Sequence, residues 1–215
     1  MIEIQNVTKS FQKKTVLDNI SGSFERGKIH GIIGRNGSGK TVLLKCICGF
    51  LAVDTGTILV DGRKVSHACP QDIGIILESP GFVENMSGFR NLKMLASIKN
   101  QIGKEEIRNV MEKVGLDADE KKAVRKYSLG MRQRLAIAQA IMESPKLILL
   151  DEPMNGLDKS GVAEIRNILL DLKENGITIL LASHYAEDID LLCDTVWEMD
   201  NGRMGQRMPT KSEEL

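Results

Sequence analysis

The sequence contains no apolar run that approaches the roughly 20 residues needed to cross a bilayer. Its first residues, MIEI, lack the basic and apolar segments of a secretory signal peptide. A membrane-spanning chain and a secreted chain are therefore not expected. We expect a protein that is made and kept in the cytoplasm.

The sequence also lacks an excess of charge of either sign. Lys and Arg together number 29 and Asp and Glu together number 29, so the formal net charge is zero. Proteins that bind nucleic acids usually carry a basic excess, and we expect no nucleic-acid partner. The length of 215 residues allows one large domain, or one domain with an inserted subdomain.

Cysteine, histidine and aromatic residues are scarce. The four cysteines show no Cys-x-x-Cys spacing, so structural thiols are expected in place of a metal site. Aromatic residues make up only 4% of the chain, and the core is therefore expected to be aliphatic, with ten methionines to fill gaps.

What the chain does contain is a phosphate-loop pattern, GRNGSGKT, at residues 34–41. An apolar strand is predicted before it at 29–33 and a helix after it at 42–47. Glycines and a helix N-terminus let backbone N–H groups surround phosphate oxygens. Lys40 is expected to reach the β- and γ-phosphates, and the Thr41 hydroxyl to bind Mg²⁺. A chance glycine-rich turn is the alternative, but the flanking strand and helix argue against it.

The spacing of apolar residues predicts further elements. A turn is expected around Gly22, the phosphate-loop helix is expected to reach about Gly49, and Asp61-Gly62 and Asn201-Gly202 are expected to form tight turns. A helix at 161–174 is expected to end at Asn175-Gly176, and a short helix is expected at 185–192. Strands are predicted near residues 2–7, 16–24, 29–33, 57–60, 73–77, 147–151, 177–182 and 195–199.

From about Ser87 to Ser144 the apolar spacing is helical instead. This block interrupts a pattern of alternating strands and helices, which indicates an α/β protein with an inserted helical subdomain. We expect one domain over 1–215, with its core at about 1–78 and 145–215 and the helical subdomain at about 79–144.

A second group of functional residues follows the apolar run at 147–150. In phosphate-loop ATPases the acidic residue at such a strand end holds Mg²⁺, which is the role expected of Asp151. The next residue, Glu152, is expected to polarise the water that attacks the γ-phosphate. The alternative is that Asp151-Glu152-Pro153 merely ends the strand, which is the weaker interpretation beside a phosphate loop.

The phosphate loop is followed by YSLGMRQRL at 127–135, DEP at 151–153, NGLD at 155–158 and SH at 183–184. This order resembles that of ABC ATPases over about residues 1–205. The YSLGM form resembles the ATP-binding subunits of bacitracin- and lantibiotic-resistance exporters. The resemblance implies an α/β fold with a RecA-like phosphate-loop NTPase core, an antiparallel β subdomain and an inserted helical subdomain. It also implies ATP and Mg²⁺ as cofactors.

The resemblance implies roles for individual residues. Phe11 matches the aromatic residue that stacks on adenine, although a core phenylalanine is the alternative. Ser128 and Gly130 match the signature loop, Asp158 the loop that contacts a partner subunit, and His184 the switch histidine at the γ-phosphate. Glu152 and His184 are expected to be catalytic, and the metal is expected to be held by Thr41, Glu78 and Asp151. The residues expected to bind the nucleotide are Phe11, Gly34, Asn36, Gly37, Ser38, Gly39, Lys40, Thr41, Val42, Ser128 and Gly130.

Several positions depart from the family pattern. Glu78 stands where the family has a glutamine that links Mg²⁺ to the helical subdomain, so it adds a charge near the γ-phosphate. Val42 stands where a second hydroxyl is frequent, so one α-phosphate contact is expected to be missing. Leu129 and Met131 replace the usual first glycine and the glutamine of the signature loop.

The resemblance implies a dimer of ATPase subunits, identical or similar, that closes over two ATP and drives a separate permease at the inner face of the membrane. The cargo is expected to be a peptide, antibiotic or other small molecule that is exported. The permease is expected to dock near residues 78–89, with Phe82 or Met86 exposed there or, alternatively, packed in the core. A soluble ABC ATPase that acts on ribosomes or DNA and a small-molecule kinase are the rival functions. The kinase would have no use for the signature loop.

Overall fold

The computed structural model describes residues 1–12, 14–66, 72–78 and 81–207, in which the strands form two sheets. The strands are β1 (Ile2–Phe11), β2 (Lys14–Phe24), β3 (Ile29–Ile33), β4 (Thr55–Val60), β5 (Arg63–Lys64), β6 (Ile73–Ile76), β7 (Leu147–Asp151), β8 (Thr178–Ala182), β9 (Thr195–Asp200) and β10 (Arg203–Arg207). The helices are α1 (Lys40–Ile47), α2 (Gly88–Lys99), α3 (Lys104–Lys113), α4 (Leu129–Ile141), α5 (Lys159–Glu174) and α6 (Ala186–Leu192), with a 3₁₀ turn at Val124–Lys126.

The larger sheet has the strand order β10-β9-β3-β8-β7-β6. Strands β9, β3, β8, β7 and β6 are parallel, and β10 pairs antiparallel with β9 at the edge. Along β7, Leu147 and Leu149 face one core, whereas Ile148 and Leu150 face the other. Because helices or a second sheet cover both faces, this strand is apolar at consecutive positions. The carboxyl ends of the parallel strands meet at one edge, where the site lies.

The smaller sheet is antiparallel, with the order β2-β1-β4-β5, and packs with α1 on one face of the larger sheet. The predicted turn around Gly22 is wrong, because Gly22 lies inside β2 and pairs with Ile4. A Cβ built at Gly22 would lie 2.9 Å from Met204 Cε and 3.0 Å from Trp197 Cη2. The glycine therefore gives space to side chains of β9 and β10, and it does not reverse the chain.

Helices α2, α3 and α4 lie in sequence between β6 and β7, as the periodicity predicts. Their buried residues share one hydrophobic cluster with α5 and with one face of the large sheet. Ser87 caps α2 by accepting a hydrogen bond from Arg90 N, and Asn175 ends α5, followed by Gly176 with φ of 79°. The division into a core and a helical subdomain stays a prediction.

Strand β10 was not predicted from the sequence. Its residues, RMGQR, alternate too little in hydropathy to mark a strand, and pairing with β9 decides its conformation. No helix within the described ranges is long and apolar enough to cross a membrane.

Candidate active site

The phosphate loop at residues 34–41 joins β3 to α1 at the carboxyl edge of the large sheet. Its glycines at 34, 37 and 39 all have φ angles that side chains disfavour. A Cβ at Gly34, where φ is 155°, would lie 2.2 Å from the carbonyl oxygen of Met199. Gly37 has φ of 80°, a left-handed conformation that side chains disfavour. The loop is exposed at Asn36 and Gly37 and buried from Ser38 to Lys40.

The N-terminus of α1 offers donors to an anion. Gly39 precedes the helix, and no side chain of the described residues caps it. The amides of Lys40, Thr41 and Val42 lie in the first turn, where a helix provides no acceptor of its own. Ser38 Oγ is buried and lacks a hydrogen-bond partner within the described part of the chain. Lys40 Nζ donates to the carbonyl oxygen of Gly34 over 2.7 Å. The helix amides and the Ser38 hydroxyl, together with a lysine that a phosphate could draw away from a backbone carbonyl, fit the phosphates of a nucleotide.

Thr41 and Asp151 meet at this edge. Thr41 Oγ1 donates a hydrogen bond to Asp151 Oδ2 over 2.5 Å. Both are oxygen ligands of the kind that Mg²⁺ prefers, and Mg²⁺ usually takes its remaining ligands from phosphates and water. Among the described residues no cluster of three or more His, Cys, Asp or Glu forms a metal site by itself. The residues therefore fit a metal ion that arrives with a nucleotide.

Glu152 follows Asp151 and has a left-handed backbone, with φ of 51°. Its carboxylate is mostly buried, and Oε2 lies 2.8 Å from His184 Nδ1. The two atoms are close but not aligned for a hydrogen bond, and Oε2 has no hydrogen-bond partner within the described residues. A buried, unpaired carboxylate oxygen costs free energy unless a ligand or water satisfies it. Glu152 and His184, predicted separately, are therefore brought together.

Glu78 lies two residues beyond the end of β6 and has φ of 62°. Lys45 Nζ, on α1, donates to Glu78 Oε1 over 2.5 Å. Sequence analysis did not identify Lys45. The one available signal was its spacing, four residues after Thr41, which places the two side chains on the same face of a helix.

The signature residues begin α4. Ser128 is the N-cap, and its Oγ accepts from Met131 N over 3.2 Å. A Cβ at Gly130 would lie 3.1 Å from the carbonyl oxygen of Gly156, and one at Gly156 would lie 2.4 Å from Leu129 Cγ. Leu129 thus rests on Gly156 of the same chain, yet its side chain remains 67% exposed.

Asp158 caps α5, and its carboxylate accepts from Gly161 N and from Ser160 Oγ, each over 3.0 Å. These hydrogen bonds lower the pKa of Asp158. Arg134, which sequence analysis missed, links α4 to α5 by a 2.7 Å contact with Glu164 and also donates to the carbonyl oxygen of Val114. The start of α5 is therefore tied to the signature helix.

The remaining candidate residues and the other histidines lie away from the Asp151-Glu152 pair in the sequence and have different environments. Phe11 is 42% exposed at the end of β1, so it is not a core phenylalanine, and Lys9 Nζ lies 5.4 Å from its ring centroid. The Val42 side chain packs against the core, which leaves only its amide for a ligand. His30 is buried and hydrogen-bonded to Thr195 and Glu25. His67 and Cys69 lie outside the described residues.

The thiols behave as structural groups. Cys46 and Cys48 are buried in α1 and beside its end. Burial raises the pKa of Cys46 to about 11 and that of Cys193 to about 12, so neither is a thiolate at neutral pH.

The family model for ABC transporters matches residues 17–155, which include the phosphate loop, the signature residues and the Asp151-Glu152 pair. The chain belongs to the ABC transporter family. It is an ATP-binding subunit, and the reaction of this family is ATP hydrolysis.

Curated relatives agree with this assignment. An uncharacterised ABC transporter ATP-binding protein, YybJ of Bacillus subtilis, is 45% identical over 95% of this chain and 94% of its own. The bacitracin transport ATP-binding protein BcrA of Enterococcus faecalis is 39% identical over 95% of this chain and 68% of its own. The lantibiotic transport ATP-binding protein SrtF of Streptococcus pyogenes is 37% identical over 95% of this chain and 89% of its own.

Solved ABC cassettes share the fold. A nucleotide-free ATP-binding cassette from an ABC transporter superposes with a TM-score of 0.84 at 26% identity, over 96% of this chain and 90% of that one. A dimeric cassette bound to ADP and Pi gives a TM-score of 0.88 at 21% identity, over 99% of this chain and 100% of that one. The predicted fold class is confirmed. The alternative of a ribosome- or DNA-directed ABC ATPase finds no support.

Proposed function

We propose that two copies of this ATPase, or one copy and a similar subunit, close over two ATP molecules and drive a separate membrane permease that exports a peptide, an antibiotic or another small molecule. The observation that carries the proposal is the exposed signature turn. Ser128 and Leu129 lie on the surface at the start of α4, where the helix N-terminus directs a partial positive charge outward and the Ser128 side chain caps the amide of Met131. A phosphate held by a second subunit would satisfy this charge.

Within each subunit, we assign nucleotide binding to the phosphate loop and to Phe11, whose exposed ring offers a flat surface for a base. Mg²⁺, bound with the nucleotide, would neutralise phosphate charge, and Thr41 and Asp151 would hold it. Glu152 would take the proton of the attacking water at its unpaired oxygen, and His184 would orient that water or contact the γ-phosphate. Residues 79–144 would move as a subdomain that carries Ser128 and Gly130 toward the partner subunit.

Export is proposed because relatives named for bacitracin and lantibiotic transport share 39% and 37% of aligned residues with this chain. A separate permease is proposed because these relatives are named as the ATP-binding proteins of transport systems. The chain would therefore act at the inner face of the membrane, bound to its permease and not inserted.

The test is to isolate the tagged chain from its native membranes in mild detergent and to identify what remains bound, with an untagged strain as the control. A polytopic membrane protein in stoichiometric amount is the expected result. Stable co-purification with ribosomes or DNA, and no membrane protein, would overturn the proposal. ATP hydrolysis by the isolated complex should require Mg²⁺.

A further inference from the structure

One face of α1 contacts the ends of two neighbouring strands. Thr41 reaches Asp151 at the end of β7, and Lys45, one turn later on the same face, reaches Glu78 just beyond β6. Strands β6 and β7 are parallel and adjacent, with Ile76 opposite Leu150. The two contacts therefore lie side by side along the edge of the sheet that holds the nucleotide site.

Acidic side chains cluster along this edge of the sheet. Asp151 and Glu152 follow β7, and Glu78 follows β6, so three carboxylates approach the place of an anionic nucleotide. Asp151 faces Thr41 and would be offset by a metal ion, whereas the carboxylate of Glu78 contacts the cation of Lys45. An uncompensated carboxylate here would repel phosphate, with a strength that solvent screening reduces because the Glu78 side chain is largely exposed.

We propose that Lys45 is a positioning residue that neutralises Glu78, so that the ion pair, and not a free carboxylate, lies beside the γ-phosphate. The Lys45 and Glu78 side chains are 27% and 65% exposed, so the pair contributes little to stability. Its effect is instead on local charge. The net charge of Lys45 and Glu78 together is zero, which equals the charge of a single neutral side chain at position 78. Glu78 also has a left-handed backbone conformation, which determines the direction of its Cα–Cβ bond.

The inference rests on the proposed nucleotide site, and a double-mutant cycle tests it separately. Lys45→Met leaves Glu78 uncompensated, Glu78→Gln leaves Lys45 uncompensated, and the double variant restores neutrality. We expect Lys45→Met to weaken Mg-ATP binding about tenfold relative to wild type, and the double variant to bind severalfold more tightly than Lys45→Met because the charge that Lys45 offsets is gone. Binding is measured by displacement of a fluorescent ATP analogue, and kcat/KM is measured beside it.

Lys28→Met is the matched control, because Lys28 forms an exposed ion pair with Glu25 over 2.6 Å, in the turn between β2 and β3. It should change neither binding nor turnover, and all variants should melt close to wild type. A double variant as impaired as Lys45→Met alone, or a Lys45→Met variant that binds normally, would overturn the inference. If wild type itself bound no Mg-ATP, the proposed function would fail instead.

Discussion

Thr41 on α1 and Asp151 at the end of β7 are joined by a 2.5 Å hydrogen bond although they are 110 residues apart in the sequence. The helix that carries the phosphate loop is thus fixed to the strand that carries Glu152. The phosphate-binding amides, the metal ligands and the candidate base are therefore positioned relative to one another by the sheet edge from which their loops begin.

Replacing Glu152 by glutamine should separate binding from hydrolysis. Glutamine keeps the shape of the side chain but cannot accept the proton of the attacking water, so turnover should fall at least about 100-fold. Mg-ATP binding should be retained, and the variant should accumulate as an ATP-bound dimer in size-exclusion chromatography. Glu174→Gln, at the exposed end of α5, is the control. Turnover within twofold of wild type would remove Glu152 from the mechanism.

Mixed dimers test whether two chains share each site. Lys40→Ala removes a cation that binds phosphate, and Gly130→Asp adds an anion at the signature loop. Each homodimer should be nearly inactive. If sites are shared, a heterodimer has one site with both lesions and one site built from intact halves.

Mixing the two variants should therefore rescue nucleotide-dependent cross-linking at one site, with weaker rescue of turnover if the sites are coupled. Heterodimer formation is checked with two different affinity tags. A heterodimer as inert as either parent would rule out the shared-site arrangement.

The predicted docking of the permease near residues 78–89 is better tested at Val83 than at Phe82. Phe82 packs against the hydrophobic core, which confirms the alternative of core packing, whereas Val83 is 39% exposed. Phe82→Asp should therefore destabilise the fold by about 3 kcal/mol or more. Val83→Asp should keep the melting temperature and basal ATPase activity of wild type but lose the permease in co-purification. Undiminished permease recovery with Val83→Asp would exclude docking at this residue.

Arg166 should be important for stability because it pairs with a buried acid. Its Nε and Nη2 lie 2.9 and 2.6 Å from Asp188 Oδ1 on α6, and Asp188 is 1% exposed. Arg166→Met would leave that carboxylate without its cation and should cost about 3 kcal/mol in urea unfolding. Asp188→Asn in the same chain should recover part of the loss. Glu187→Gln, which removes an exposed partner of Arg166, should destabilise the protein much less than Arg166→Met.

Stability should fall in acid partly through His30. Burial lowers the pKa of His30, against the opposing effects of the Glu25 carbonyl and the charge of Asp194. Nε2 donates to that carbonyl over 2.9 Å, so Nδ1 accepts from the Thr195 hydroxyl in the neutral ring. The unfolded chain protonates near a pKa of about 6.5 and the folded one only at lower pH. Stability is therefore complete above this range and is lost as pH falls toward the folded pKa.

The largest slope from this one group is about 1.4 kcal/mol per pH unit. Urea unfolding between pH 7.5 and 5 should show a flatter pH dependence for His30→Gln, at a lower overall stability. Identical slopes for wild type and variant would contradict this assignment of His30.

The sequence by itself determined the chemistry and most of the elements. Glycines at 34, 37 and 39 and the Lys40-Thr41 pair specify a phosphate loop because few other residues tolerate those backbone angles or bind phosphate so closely. The apolar run ending at Asp151 specifies a strand buried on both faces. These features are local, so spacing along the chain is enough to read them.

Only the tertiary structure decided which distant side chains meet. Lys45 pairs with Glu78 across 33 residues, Arg134 with Glu164 across 30, and Arg166 with Asp188 across 22. It also placed Phe11 on the surface and Gly22 inside a strand. Periodicity tells which face of an element is buried. The partner of an exposed charge depends instead on how the elements cross in space. Many exposed lysines and glutamates have similar neighbours in the sequence, so the sequence alone does not distinguish the paired ones.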